Sequence, residues 1–266
     1  ISIKDIEGIR IGNAQNFIGG TGCTVILSET GMCAGLDVRG GGPASRESEL
    51  LKPLAAAQSI HAVLLGGGSA FGLDAAGGVM QFLEEKGIGL DVGIAKVPLV
   101  CQSDIFDLTV ADAHVRPDKE MGYEACKGAY ADNYQDGNFG VGTGATVGKF
   151  RGMDYCMKSG IGSYAVQIGE LKVGAIVAVN ALGDIYDHHS GRIVAGMLNE
   201  ERSAFADTAK LLYSSYEVHD NKFVGNTTIG AIITNARFDK SQLSKIAGMA
   251  HNGYARSIRP VHTSAD

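Results

Sequence analysis

This chain lacks the signatures that several large protein classes require. No apolar run approaches the roughly 20 residues that cross a bilayer, so no membrane helix is expected. The opening Ile1-Ser2-Ile3-Lys4-Asp5-Ile6 has no signal-peptide pattern and no initiator Met, which points to processing or trimming. There is no basic stripe. Lys and Arg number 23 against 29 acids, the net charge is −6 and the pI is about 5.6, so nucleic acid is a poor candidate partner. Five cysteines, Cys23, Cys33, Cys101, Cys126 and Cys156, form no CxxC pair and no zinc spacing. Their odd count and wide scatter predict free thiols in a reducing cytoplasm. Cys101 reads as a buried structural thiol before it reads as a nucleophile.

Several chemical motifs are absent too. His61–Leu65, the glycine turn Gly66-Gly67-Gly68, and a helix predicted from about Leu73 to Lys86 have the layout of a dinucleotide site. The third glycine of GxGxxG would fall on Phe71, and no Lys-Ser/Thr follows for a P-loop. Close packing of a strand-to-helix turn is the better account. There Ser69 serves as a turn residue and Asp74 as a favourable charge in a first helical turn. His188 and His189 suggest a metal at first sight. On an extended segment they would point to opposite faces, and no HExxH accompanies them, so no metal and no cofactor is expected. There is no GxSxG elbow, although a Ser-His-Asp triad needs none.

What the chain has in excess is glycine, 38 residues, about twice the usual share, with no collagen-like period. That predicts tight turns and close backbone approaches. A hydrophobic share of 45% and a charged share of 20% over 266 residues suit one soluble domain spanning 1–266. Thr24–Ser28 and Ala34–Val38 read as paired strands around Glu29-Thr30-Gly31. Ser45–Gln58 reads as a helix with Ser45 as N-cap. Lys172–Asn180 and Thr228–Thr234 read as strands, and Ser203–Tyr216 as a modest helix. Ser241–Ser257 is amphipathic, with Leu243, Ile246, Ala247, Ala250 and Tyr254 at helical spacing and Asp239 near its start. Strand blocks separated by long helices predict an α+β fold.

The run Gly225-Asn226-Thr227-Thr228-Ile229-Gly230-Ala231-Ile232-Ile233-Thr234-Asn235 carries the most chemistry. A hydroxyl sits at the mouth of an apolar strand, directly after a turn-forming Gly-Asn pair. Such a hydroxyl can attack the carbonyl before it, convert the peptide to an ester and let water split it. What remains is an N-terminal Thr whose α-amine, with a reference pKa of about 7.7–8.0, serves as its own base. Locally, an ordinary Thr pair opening a strand is the commoner reading, and Thr227 and Thr228 compete. Elsewhere, Lys149 ends a loop of small residues from which it can reach into a cleft. Asn180 closes an apolar strand and must find hydrogen bonds there.

Four further segments stand in order with this run: Gly66–Ala76, Ile105-Phe106-Asp107-Leu108, Gly142–Lys149 and His262-Thr263-Ser264-Ala265-Asp266. The ordered set resembles the P1 (S58) peptidase family, the group of DmpA-type L-aminopeptidase/D-esterases, β-peptidyl aminopeptidases and NylC-type nylon-oligomer hydrolases. The resemblance spans nearly the whole chain. It implies a layered αββα sandwich of the DmpA/ornithine-acetyltransferase type and an N-terminal-nucleophile hydrolase. Self-cleavage would fall between Asn226 and Thr227, giving fragments 1–226 and 227 onward. The Gly-Asn-Thr-Thr match selects Thr227 as the nucleophile, with Asn226 supplying the scissile carbonyl. Lys149 would be a catalytic lysine and Asn180 an oxyanion donor. The turn at Gly66–Ala76 would lie near the cleft. Asp266 would be the first of two catalytic acids; the second is missing, so a chain incomplete at its C-terminus is expected. Phe106 stands where relatives carry a substrate-lining Tyr, keeping the ring without the hydroxyl. The implied substrates are small peptides, amides or oligoamides, with no membrane or nucleic-acid partner, in a cytoplasmic homo-tetramer or other homo-oligomer. Two alternatives stay open: ornithine-acetyltransferase-like acyl transfer, and an unprocessed, non-enzymatic relative.

Overall fold

The computed structural model describes residues 1–214 and 225–264. Its first sheet has five strands: β1 (Arg10–Asn16), β2 (Thr21–Met32), β3 (Ser45–Arg46), β4 (Ile60–Gly66) and β5 (Val100–Asp104). Their spatial order is β1-β2-β4-β5-β3. Only β4 and β5 pair in parallel, so a crossover must join them. The glycine turn and helix α1 (Ala75–Glu85) supply it.

Side chains alternate across this sheet with the period of two that a pleated strand imposes. Val25 and Leu27 of β2, with Ala62 and Leu64 of β4, face α1 and α2 (Lys119–Tyr130) and pack on Val79, Phe82 and Cys126. Ile26 and Leu65 face the other way, into a second core. Two contacts explain part of the glycine excess. A Cβ on Gly12 would lie 2.1 Å from the Ala129 nitrogen of α2, and one on Gly78 would lie 1.7 Å from the Lys119 carbonyl. The helices sit where only glycine allows the backbones to meet.

The second core is roofed by an antiparallel sheet of β6 (Ile161–Ile168), β7 (Leu171–Ala178) and β8 (Ile229–Thr234). Ile161, Ala165, Ile176 and Ala178 point inward, with Ile229, Ala231 and Ile233 packed alongside. A smaller sheet joins Asp184–Tyr186 to Ile193–Ala195 and Ile258–Arg259. Helix α3 covers Thr208–Ser214, and α4 covers Lys240–Ser257. Asp239 caps α4 in a full capping box with Gln242. The fold is therefore mixed α/β. Among the described residues no helix is long and apolar enough to cross a membrane.

Four local expectations are corrected. The segment 45–58 is no helix: Ser45–Arg46 pairs with Gln102–Ser103, Glu47 takes φ 57°, and only a short 3₁₀ turn, Ser48–Leu51, precedes Pro53. Proline lacks the N–H that a helix interior needs, and the sheet edge captures the start. Strand β2 runs through Glu29-Thr30-Gly31 without turning and pairs with β1 and β4; 34–38 is not a strand. The helix expected at 203–216 shortens to α3, whose start is held by Asp184 accepting from the Thr208 amide at 2.6 Å; 215 and 216 lie outside the described residues. His188 and His189 are not extended. Asp187 Oδ1 accepts from both the His189 and Ser190 amides, and this turn brings the two rings to the same side, with centroids 3.8 Å apart.

Candidate active site

Register places the nucleophile candidate. Strand β7 pairs Ala178 with Ile229, so two residues further the ladder sets Asn180 opposite Thr227, whose amide donates to the Asn180 carbonyl at 2.8 Å. Lys149 arrives from the opposite side. The short strand Thr146–Val147 pairs with Met157–Lys158, and the amides of Gly148 and Lys149 then donate to the carbonyls of Gly183 and Leu182. The lysine is thus aimed by its own backbone before its side chain makes a contact.

Lys149 and Asn180 are both buried, at 9% and 0% exposure, so each polar atom must be matched. Lys149 Nζ donates to Asn180 Oδ1 at 2.8 Å, to the Asn180 carbonyl at 3.1 Å and to the Gly225 carbonyl at 2.5 Å. Thr146 adds two donors to Asn180 Oδ1, its amide at 3.1 Å and its hydroxyl at 3.3 Å. With Oδ1 surrounded by donors, the amide orientation is fixed and Nδ2 points away as a donor. It reaches the Phe106 carbonyl at 2.9 Å and the Gly225 carbonyl at 3.5 Å.

The Gly225-Asn226-Thr227 turn fits between these groups. Gly225 has φ 111°, and a Cβ there would stand 3.1 Å from the Phe106 ring. The backbone angle demands glycine, and the ring leaves a Cβ little room. Asn226 is buried, and the Thr227 hydroxyl donates to the Asn226 carbonyl. Thr228 Oγ1, by contrast, is buried without a hydrogen-bond partner among the described residues.

A network behind the site holds the loops. Asp107 accepts from Thr21 Oγ1 and from the Gly68 amide, each at 2.6 Å. Lys158 Nζ donates to the carbonyls of Gly142, Ala145 and Ser159, each at 2.9 Å, which pins the loop leading into Thr146. Burial pulls the Lys158 ammonium down to about 8, against the pull of Asp107. Burial likewise raises the Asp107 carboxyl, offset by its bonds to Thr21 and Gly68. Asp104 is pushed up to about 8 by burial, with Gln102 opposing and Asp107 adding to the shift.

Of the residues singled out by sequence, Thr227, Asn226, Lys149, Asn180 and Phe106 meet in one place. Asp266 lies outside the described residues. The glycine turn touches the site's wall, since the Ser69 amide donates to the Ile105 carbonyl at 3.0 Å; Ser69 itself takes φ 54°, a turn conformation. Sequence reasoning missed Thr146 and Asp107. Both sit inside the motifs quoted above, but nothing local marks Thr146 as an Asn180 partner 34 positions away. Cys101 is buried with its thiol pushed up to about 12 by desolvation, which suits a structural role. The five cysteines are all free thiols. Among the described residues no group of three or more His, Cys, Asp or Glu forms a metal site.

Comparison with known proteins gives a consistent set. The model of peptidase family S58 matches residues 2–266. An uncharacterized aminopeptidase of Mycobacterium leprae is 38% identical over 277 residues, covering 100% of this chain and 76% of that protein. A 6-aminohexanoate-oligomer endohydrolase of Paenarthrobacter ureafaciens is 31% identical over 273 residues, covering 98% of this chain and 71% of its own. Among solved structures, a Burkholderia sp. beta-aminopeptidase superposes with a TM-score of 0.63 at 19% identity, over 96% of this chain and 67% of that one. A protein of Pyrococcus horikoshii OT3 gives 0.64 at 24% identity, over 96% and 69%. At these identities the structural likeness speaks for the fold alone.

Proposed function

The chain belongs to peptidase family S58 and is a hydrolase of peptide or amide bonds; from that premise we propose that it activates itself by cleaving between Asn226 and Thr227 and then works through Thr227 as an N-terminal nucleophile. The observation that carries this reading is the contact of the Thr227 hydroxyl with the Asn226 carbonyl, beside a buried lysine.

In the processing step, Thr227 Oγ1 attacks the Asn226 carbonyl carbon and the C–N bond breaks, leaving an ester and a free α-amine. Water then hydrolyses the ester. In turnover, that amine takes the Oγ1 proton as Oγ1 attacks the substrate carbonyl. That ammonium then gives the proton to the leaving nitrogen as the tetrahedral intermediate collapses and the C–N bond breaks, and water hydrolyses the ester left on Oγ1 to release the acid. Asn180 Nδ2 and Lys149 Nζ, with nearby backbone N–H groups, stabilise the oxyanion. In the uncut chain both side chains bond the Gly225 carbonyl, the chain's own occupant of that position. Departure of 225–226 after cleavage would hand those donors to substrate. Asp266, with a second acid, would orient the α-amine; Phe106 would line the cleft through its ring.

The matched relatives suggest the substrate class. One is named an aminopeptidase and another an endohydrolase of 6-aminohexanoate oligomers. We therefore propose short peptides, aminoacyl amides or oligoamides as substrates. The family resemblance adds a layered αββα arrangement, 1–266 as one domain and a homo-oligomeric assembly. The deciding experiment is the intact mass of the protein under denaturing conditions beside a Thr227→Ala variant. Two fragments with Thr227 as a new N-terminus, and one uncut chain in the variant, are expected. A wild type that remains a single chain would remove the α-amine base and overturn the mechanism.

A further inference from the structure

We propose that Arg116, seated on the Phe71 ring and packed on the Gly68 turn, binds the carboxylate of the substrate's leaving portion. The proposal rests on the reading of Thr227 as nucleophile and adds a determinant of specificity to it.

Arg116 is held in an unusual way. Its Cζ stands 3.6 Å from the centroid of the Phe71 ring, and Phe71 is 58% exposed. Its Nε donates to the Ala113 carbonyl at 2.7 Å. Among the described residues that is its one hydrogen bond, and no carboxylate pairs with it. The ring contact and the bond to the Ala113 carbonyl together hold the guanidinium in place. The remaining N–H groups are therefore held in position with no partner among the described residues. A planar fork of this kind matches the two oxygens of a carboxylate. On a chain of net charge −6, where acids are plentiful, an arginine arranged like this needs another explanation than a surface ion pair.

Its position ties it to the site. A Cβ on Gly68 would lie 3.3 Å from Arg116 Cβ. The Gly68 amide donates to Asp107 and the Ser69 amide to Ile105, so the same turn grips both neighbours of Phe106. Phe106 in turn touches Gly225 by its ring and accepts from Asn180 by its carbonyl. Arg116 and Phe71 are thus joined to Phe106 through the Gly68–Ser69 turn. Short peptides and oligoamide acids carry a free carboxylate on the portion released as the amine. A cation on this loop that engages that carboxylate would select substrates ending in that group and would not assist the bond-breaking step.

The test compares a short peptide acid with its C-terminal carboxamide, hydrolysed by processed wild type, Arg116→Gln and Arg116→Lys. Arg116→Gln should raise KM for the acid about 10-fold while moving the carboxamide less than twofold. Arg116→Lys should recover part of the loss, since it keeps the charge without the fork. kcat for the carboxamide, and processing at Thr227 read by mass, should be unchanged. Equal losses on both peptides would assign Arg116 to the fold, and an acid preference that survives Arg116→Gln would place the carboxylate elsewhere; either overturns the proposal. Failure of the nucleophile reading has a separate signature, a wild type that stays uncut and hydrolyses neither peptide.

Discussion

At the scale of the residue, Asn180 is the most constrained group in the site. Its Oδ1 receives Lys149 and Thr146 and its Nδ2 gives to Phe106, so no other orientation satisfies it. Replacing it with Ala would leave the Lys149 ammonium buried with fewer acceptors and remove the proposed oxyanion donor. Turnover should fall about 100-fold or more, measured as kcat on an aminoacyl amide in protein that has been cleaved. Lys149→Met should slow processing itself by about 100-fold, seen as persistence of the uncut chain in a time course. Processing of Lys149→Met at the wild-type rate would remove the lysine from that step. Thr146→Val tests the orienting role. It deletes one of the donors to Asn180 Oδ1 without changing shape, and should lower kcat while leaving KM nearly unchanged.

At the scale of the element, the end of β5 carries a titration. Asp104 is 1% exposed, with Oδ1 bonded to Gln102 Nε2 at 2.8 Å and Oδ2 without a partner among the described residues. Gln102 is the donor that faces it, and Asp107 and the buried Cys23 thiol are the titratable groups around it. Its folded value, pushed up to about 8 by burial, stands far above the unfolded 3.8. Between those values the folded chain holds a proton that the unfolded chain has lost. The Asp104 contribution to stability is therefore full below about pH 4 and declines up to about pH 8, by roughly 1.4 kcal/mol per pH unit at most. Asp104→Asn removes this decline. Urea unfolding at pH 5 and pH 8 should show the variant gaining on wild type at the higher pH. An identical pH trend in both proteins would show that Asp104 ionises without penalty. Helix α4 offers a simpler test: Asp239→Ala removes the capping box and should cost about 1 kcal/mol in the same assay.

At the scale of the whole molecule, the proposed cut falls where it leaves the architecture intact. Strand β8 lies after Thr227 and pairs with β7 along the whole run from Ile229 to Thr234. Ile229, Ala231 and Ile233 stand in the same core as Ile176 and Ile161. One broken peptide bond removes neither the ladder nor the burial. The two fragments should therefore co-elute in native size-exclusion chromatography and separate only in denaturant. Separation under native conditions would mean that this interface does not hold them. The helix-facing core sets the stability of the rest: Leu64→Ala, at a fully buried position under α1 and α2, should cost about 2–5 kcal/mol.

Periodicity and turn chemistry made part of this protein legible from its residues alone. Strand β4 and strand β7 alternate or run apolar without interruption, and α4 combines an amphipathic stripe with an acidic cap, so local signals and final structure agree. The ordered motifs carried the family. Strands β1 and β6 and helix α2 had no such signal. Gly12 looks like a breaker inside β1, and it is there because α2 presses against it. The 45–58 segment had helical composition, but pairing at the edge of the sheet prevailed over propensity. For the site, the sequence presented two adjacent threonines, a lysine and an asparagine far apart along the chain. Only the register of β7 against β8 sets the Asn180 carbonyl on the Thr227 amide, and only the Thr146–Val147 pairing turns Lys149 inward. Residue type and spacing decide which elements can form. Which side chains then meet depends on contacts between residues distant in sequence, and those exist only once the sheets have paired.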